Sequence, residues 1–373
     1  MQYLFQIFTG DLCEKSPTEA EPLLEKLEPF YKTGKLQGVL CGWSLDKDFY
    51  RAMRQRLSEW NVPFFFKTAV FSELAGLPGL DAMIDHDGRS MEPYVLNEQE
   101  RFLFRCPSSA ANRRAVVDLY DREMADIGFD GVFLDRIRMN SMLAGVRGIG
   151  GCFCPRCEER YRQAGLDPEH LKNALRRAEN EGIALEAYRE GRWALADPEL
   201  DAFFRVRCAL ITESVRYFAD EFRKRGLKLG LDLFTPVFGY FAGQDVQALS
   251  AIADFIKPME YRYTDAPAGI PFEHRMLGRT AGGQAFAKVL AETGSAEDDH
   301  AGLVRAELAF LKKCACRVYP GMEVNTVEPI VHITPERVRS EIAMLREAGF
   351  DGMVPAWDLN RMPAENLAVL LES

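Results

Sequence analysis

The sequence predicts an α/β fold, a (β/α)8 TIM barrel with a zinc-knuckle and helical insertion after strand 4, on three observations. Short apolar runs of β-forming residues alternate with amphipathic stretches of about a dozen residues, the pattern of repeated β/α units around a parallel sheet. Gly128-Phe-Asp-Gly131 recurs as Gly349-Phe-Asp-Gly352, each after an amphipathic helix and each leading to an aspartate, Asp135 and Asp358. These repeats open the fourth and eighth runs, which face each other across an eight-stranded barrel. Finally, several runs stop abruptly at an acidic side chain, as a parallel strand does when it delivers that side chain to a site. A length of 373 residues is within reach of one barrel domain, residues 1–373, carrying an insertion at about 140–196.

Taken in order, the first strand is residues 3–9, followed by a helix around Glu19–Tyr31. Gly38-Val-Leu-Cys-Gly-Trp43 is the second, with a charged helix over Asp46–Trp60, and Val62-Pro-Phe-Phe-Phe-Lys67 the third. Residues 72–101, with Gly76, Pro78, Gly79, Gly88 and Pro93, read as a long loop on the site face. Ser108 or Ser109 then caps a helix over Asn112–Ile127, which feeds strand four, Gly131-Val-Phe-Leu-Asp135. Pro155–Ala164 and Glu169–Arg192 read as helices of the insertion, and Asp197-Pro198 opens a long helix that stops at Gly226. Strands five to eight follow at Leu227–Phe234, Ala253–Tyr261, Arg317–Asn325 and Phe350–Asp358, with a helix around His300–Cys314 and another capped by Thr334-Pro335.

Composition bounds the function. With 47% apolar and 27% charged residues the chain can bury a large core. A net charge of −10 argues against a nucleic-acid surface, which needs a basic footprint. No run approaches the roughly 18–20 apolar residues that span a bilayer, and the N-terminus lacks the marks of a signal peptide. Nine cysteines, an odd number with three in a metal-like spacing, fit a reducing compartment better than a disulfide framework. The expected location is therefore the cytoplasm, with no nucleic-acid or membrane partner; homo-oligomerisation is left open.

Two groups of residues carry chemistry. Cys152-x-Cys154-x-x-Cys157, with Cys106 upstream at the end of an apolar run, offers four sulfur ligands to one tetrahedral ion, a closed structural zinc site. At the C-terminal strand ends, where barrel enzymes build their sites, the acids are Asp11, Asp135, Asp232, Glu260, Glu323 and Asp358, with Trp43, Tyr261 and Trp357 beside them. Aromatic faces stack on sugar rings and carboxylates accept hydroxyl hydrogen bonds, so this set suits a neutral, hydroxyl-rich ligand. Arg136 and Arg138 flank Asp135 and can pair with it or hold substrate. Asp130 and Asp351, within the GFDG turns, read as structural. The five histidines are scattered without metal-ligand spacing, and neither a Walker A pattern nor a dinucleotide-binding fingerprint is present.

On these residues, Cys106-Pro-Ser-Ser, Gly131-Val-Phe-Leu-Asp135 and Cys152-Phe-Cys-Pro-Arg-Cys157, the chain resembles glycoside hydrolase-like TIM-barrel proteins, and its knuckle is similar to that of the glycoside hydrolase family 42 β-galactosidases. The resemblance implies a structural zinc on the four cysteines. It also implies a glutamate nucleophile on strand seven, where Glu323 stands. The chain departs from that family where the Asn-Glu ending strand four is replaced by Arg136 and Ile137, so the acid/base cannot be carried over. Barrels resembling α-galactosidases or α-fucosidases place an aspartate nucleophile at the end of strand four, a role open to Asp135.

The leading expectation is a glycosidase acting on a small sugar or imported oligosaccharide, with Asp135 as nucleophile and Glu323 or Glu260 as acid/base. Glu323 is favoured because Gly321 leaves room in the barrel for a ligand to approach it. Trp43, Arg136, Arg138, Asp232, Tyr261, Trp357 and Asp358 are the expected substrate contacts. The alternatives are a carbohydrate-binding or regulatory barrel that has lost its catalytic pair, and a sugar-acid isomerase or lyase using Arg136, Arg138 and Lys257 to hold a carboxylate.

Overall fold

Eight parallel strands succeed one another around the sheet in chain order: β1 (Gln2–Phe8), β2 (Leu36–Gly42), β3 (Phe64–Ala69), β4 (Gly131–Asp135), β5 (Lys228–Phe234), β6 (Phe255–Met259), β7 in two pieces (Arg317–Val318 and Gly321–Glu323) and β8 (Gly352–Ala356). β1 pairs with β8 through Gln2↔Gly352 and Tyr3↔Met353, so the sheet closes on itself and an open doubly wound arrangement is excluded. The computed structural model describes residues 1–10, 19–72, 77, 79–92, 94–95, 101–280, 291 and 300–373. Asp11 and parts of the 72–101 loop lie outside these residues.

Side chains two apart on a strand share a face, and the barrel interior is built in levels on that rule. Leu4, Leu40, Phe65, Phe133, Phe255, Tyr319 and Val354 form one buried apolar cluster, contributed by seven of the eight strands. The eighth, β5, supplies Gly230, where a Cβ would lie 2.2 Å from the Phe255 ring. One step further toward the C-terminal ends, the same alternation brings up Gln6, Gly42, Lys67, Asp135, Asp232, Lys257, Gly321 and Ala356. An apolar floor thus supports a polar level made of two lysines, two aspartates, a glutamine and three residues with little or no side chain.

The two GFDG segments are matching helix-to-strand turns. Gly128 and Gly349 both take φ 77°, a left-handed conformation that stops the preceding helix. Asp130 accepts from the Phe64 amide (2.8 Å) and the Arg54 guanidinium (2.6 Å), a structural role, whereas Asp351 is exposed and pairs with Arg317 at 3.4 Å. Between β4 and the helix Pro198–Lys224 stand the helices Pro155–Gln163 and Pro168–Glu181. The expected helix over Glu169–Arg192 ends early, at Gly182, and residues 185–195 form a β-hairpin, Leu185–Arg189 with Arg192–Leu195. Glu190 (φ 49°) and Gly191 (φ 76°) make its two-residue turn, the positive-φ pair that matches the twist of a hairpin. Among the described residues no helix is long and apolar enough to cross a membrane.

Candidate active site

The polar level opens into a cavity of ≈ 400 Å³ at the C-terminal strand ends. Its lining includes Trp43, Asp135, Arg136, Arg138, Asp232, Tyr261, Trp357 and Asp358, which brings together all seven expected substrate contacts and one of the three expected catalytic acids. It also includes Gln6, Lys67 and Lys257.

Each aspartate is matched by its own buried lysine. Asp135 pairs with Lys67 and accepts from the Arg136 amide at 2.7 Å. Asp232 pairs with Lys257 at 3.0 Å, and Lys257 also donates to Tyr261 Oη (2.6 Å) and Gln6 Oε1 (3.2 Å). Burial opposes ionisation of Asp135, but Lys67 and Arg136 outweigh it and hold the carboxyl down at about 2. For Asp232 burial wins over Lys257 and pushes the carboxyl up, while burial pulls the Lys257 amine down, so acid and amine move toward each other. Two carboxylates of one cavity are thereby driven apart, one to the ionised and one toward the protonated form.

Glycines make this packing possible. A Cβ at Gly42 would lie 1.8 Å from the Lys67 carbonyl oxygen, and one at Gly321 would lie 2.5 Å from Lys257 Cε. The space above Gly321, expected to admit a ligand to Glu323, is occupied by the Lys257 stem instead. Around the ion pairs stand aromatic walls. Trp43 and Trp357 each follow a cis peptide bond. Lys67 Nζ lies 4.9 Å from the Trp43 ring, Arg136 stacks on Phe102 (4.3 Å), and Arg138 sits between Phe104 (4.5 Å) and Phe234 (4.4 Å). Asp358 is held as a helix cap, accepting from the amides of Phe8 (3.1 Å) and Asn360 (3.2 Å).

Glu323 and Glu260 do not join Asp135. On β6 the inward positions are Lys257 and Met259, so Glu260 falls on the outer face, where it accepts from Thr235 Oγ1 at 3.0 Å. Glu323 has inward parity, but its carboxylate turns to the loop after β6 and accepts from the amides of Tyr263 (2.9 Å) and Thr264 (2.6 Å) and from the Thr264 hydroxyl (2.5 Å). Neither lines the cavity, and both are fully buried, whereas the Asp135 side chain is 14% exposed. Lys67 and Gln6 were missed by sequence reasoning, although each is the polar member of an inward-facing alternation, Phe65 to Lys67 and Leu4 to Gln6.

The glutamates outside the cavity give the fold a pH signature. Burial raises Glu273 and Glu323 to about 7 and Glu307 and Glu341 to about 8. Each holds its proton to higher pH folded than unfolded, so the native state binds more protons and stability falls as pH rises through these values. His86 and His274, lowered by burial, act oppositely but only below their ordinary value of 6.5. The thermal midpoint is therefore expected to fall between about pH 6.5 and 8, and Glu273→Gln to flatten that slope; a midpoint that rises across the window would refute this origin.

Away from the cavity, Cys106, Cys152, Cys154 and Cys157 are all buried, with every sulfur within 4.8 Å of the others. Cys106 Sγ lies 3.6 Å from Cys154 Sγ and 3.7 Å from Cys157 Sγ, close to the edge of about 3.8 Å of a tetrahedron with metal–sulfur bonds of about 2.3 Å. The cluster can bind a metal ion. It ties the loop after β4 to the start of the helix Ala110–Glu123, which Ser109 caps by accepting from the Asn112 amide at 3.2 Å.

No protein-family model matches the sequence, and no curated protein matches it. Solved structures do. The PgaB (BpsB) glycoside hydrolase domain from Bordetella bronchiseptica matches with a TM-score of 0.61 at 14% identity, over 99% of this chain and 95% of that one. The α-L-fucosidase isoenzyme 2 from Paenibacillus thiaminolyticus matches with a TM-score of 0.52 at 14% identity, over all of this chain (100%) but 48% of the fucosidase. At this identity the likeness is one of fold, and the chain is a (β/α)8 barrel of the kind found in glycoside hydrolases.

Proposed function

We propose that the protein is a retaining glycoside hydrolase in which Asp135 is the nucleophile and Asp232 the acid/base. The observation that carries this reading is the pair of lysine-matched carboxylates in one cavity, with Asp135 held ionised and Asp232 pushed toward its protonated form. The fold shared with a glycoside hydrolase domain and a fucosidase supports the reaction class. Asp135 attacks the anomeric carbon while Asp232 donates its proton to the departing glycosidic oxygen. Asp232, now a carboxylate, then takes a proton from water, whose oxygen displaces Asp135 and releases the sugar. Trp43, Tyr261 and Trp357 supply aromatic surface for the sugar ring. Glu323 and Glu260, engaged elsewhere, have no part in this scheme.

We infer further that the ion held by the four cysteines is zinc, because four thiolates fill a tetrahedral shell and leave no position for substrate or water. Bound there, it supplies structure rather than chemistry. A cytoplasmic chain acting on a small or imported sugar belongs to the same reading.

The pH profile tests the acid assignment. Hydrolysis requires Asp232 protonated, so the rate on a poor leaving group should fall as pH rises through the raised Asp232 pKa. The acid limb, set by Asp135 at about 2, lies below the ordinary assay range. Asp232→Asn should abolish the alkaline limb and cost about 10²–10⁴-fold on a poor leaving group, but far less on a dinitrophenyl glycoside. An alkaline limb unchanged in that variant would remove Asp232 from the role.

A further inference from the structure

Arg207 stands in the first half of the helix Pro198–Lys224 and is fully buried. A guanidinium stays charged even in a protein interior and is ordinarily matched there by a carboxylate. Among the described residues Arg207 has none. Nε donates to the Gly151 carbonyl (2.8 Å), Nη1 donates to the Phe241 carbonyl (2.5 Å), and Nη2 is buried without a hydrogen-bond partner. Phe203 and Phe204 flank it at 5.7 and 5.3 Å. Its nearby titratable groups include Tyr161, Cys208, Cys152 and Cys157. Burial keeps the Tyr161 phenol and the Cys208 thiol neutral at ordinary pH. Of the four, only Cys152 and Cys157 belong to the metal-binding cluster, and the first arginine hydrogen bond goes to the residue immediately before Cys152.

We infer that Arg207 is the counter-charge of a dianionic metal–tetrathiolate centre, a positioning residue that makes a buried four-thiolate site affordable. Four thiolates and a divalent ion leave a net charge of −2 in the interior, and such a charge needs compensation. Arg207 supplies one positive charge. Hydrogen bonds into sulfur supply more: the Ile84 amide reaches Cys152 Sγ at 3.4 Å, and the Ser108 hydroxyl lies 3.2 Å from Cys157 Sγ, where it donates once that sulfur is a thiolate. The Arg207 side chain therefore has a double task, tying the backbone at Gly151, next to Cys152, to Phe241 in the segment after β5 and offsetting the charge of the sulfurs. This inference rests on the cluster binding a metal, and it reaches beyond that reading in naming a residue outside the ligand shell that contributes to affinity.

The test compares wild type, Arg207→Gln and Arg207→Lys, each loaded with zinc, by metal content per chain and by the zinc dissociation constant from chelator competition, with circular dichroism to follow folding. Loss of an outer-shell partner typically weakens metal binding by about 10–100-fold, and that loss is expected for Arg207→Gln. Arg207→Lys keeps the charge and should stay within about threefold of wild type, on the same outer-shell scale. A folded Arg207→Gln that binds zinc as tightly as wild type would overturn the inference and leave Arg207 a backbone latch. If Arg207→Gln does not fold, Arg207→Lys decides: a loss of about tenfold or more despite the retained charge overturns it equally. Wild-type protein that takes up no metal would instead refute the metal reading itself.

Discussion

Asp135→Asn is expected to lower turnover of an activated aryl glycoside by at least about 10³-fold while leaving the barrel folded. The amide keeps the shape of the side chain and removes the charge that attacks the anomeric carbon. It also leaves the Lys67 ammonium, 2% exposed, without its anionic partner, and an orphaned buried charge costs about 3–5 kcal/mol. The double variant Asp135→Asn with Lys67→Met should regain much of that stability without regaining activity. Stability and turnover thus separate, which a merely structural Asp135 would not allow. Turnover within a few-fold of wild type for Asp135→Asn would take this residue out of the chemistry.

Loss of a cysteine ligand should be the largest effect on the fold. Cys154→Ser is expected to remove one zinc per chain and several kcal/mol of stability, since metal binding to a site absent from the unfolded chain is itself folding free energy. The reason is local. The cluster joins Cys106 to the loop after β4, and the Ile84 amide and the Asn112 side chain, which donates to the Cys106 carbonyl at 2.9 Å, both depend on its position. Without the ion, four buried thiols remain in mutual contact with nothing to hold them. An unchanged thermal midpoint together with unchanged metal content would contradict the account.

Much of this architecture was legible in the residues. The apolar runs, the two GFDG turns and the caps at Ser109, Asp197 and Thr334 are local signals, and they persist because each is a short-range hydrogen-bonding or φ preference. The cysteine cluster was legible for the same reason in three of its members, and Cys106 because it closes an apolar run. The Glu190-Gly191 hairpin was hidden under a helical composition rich in Ala, Glu and Arg, which tertiary packing of Trp193 and Leu195 overrides. The partners of Asp135 were harder still. Finding them requires phasing all eight strands around the barrel, so that Lys67 and Lys257 rise to the level of the two aspartates and Glu260 turns outward. Strand-end position alone treats Glu260, Glu323 and Asp232 alike; the register turns Glu260 outward, whereas Glu323 keeps inward parity and is drawn away by the amides of Tyr263 and Thr264.

Capture of the covalent intermediate tests Asp135 as the nucleophile directly. The protein is incubated with activated 2-deoxy-2-fluoro glycosides of the sugars it hydrolyses, digested, and the labelled peptide identified by mass spectrometry. One glycosyl group per chain is expected, esterified to Asp135, with no label in Asp135→Asn. A label on Glu323 or Glu260 would contradict that assignment.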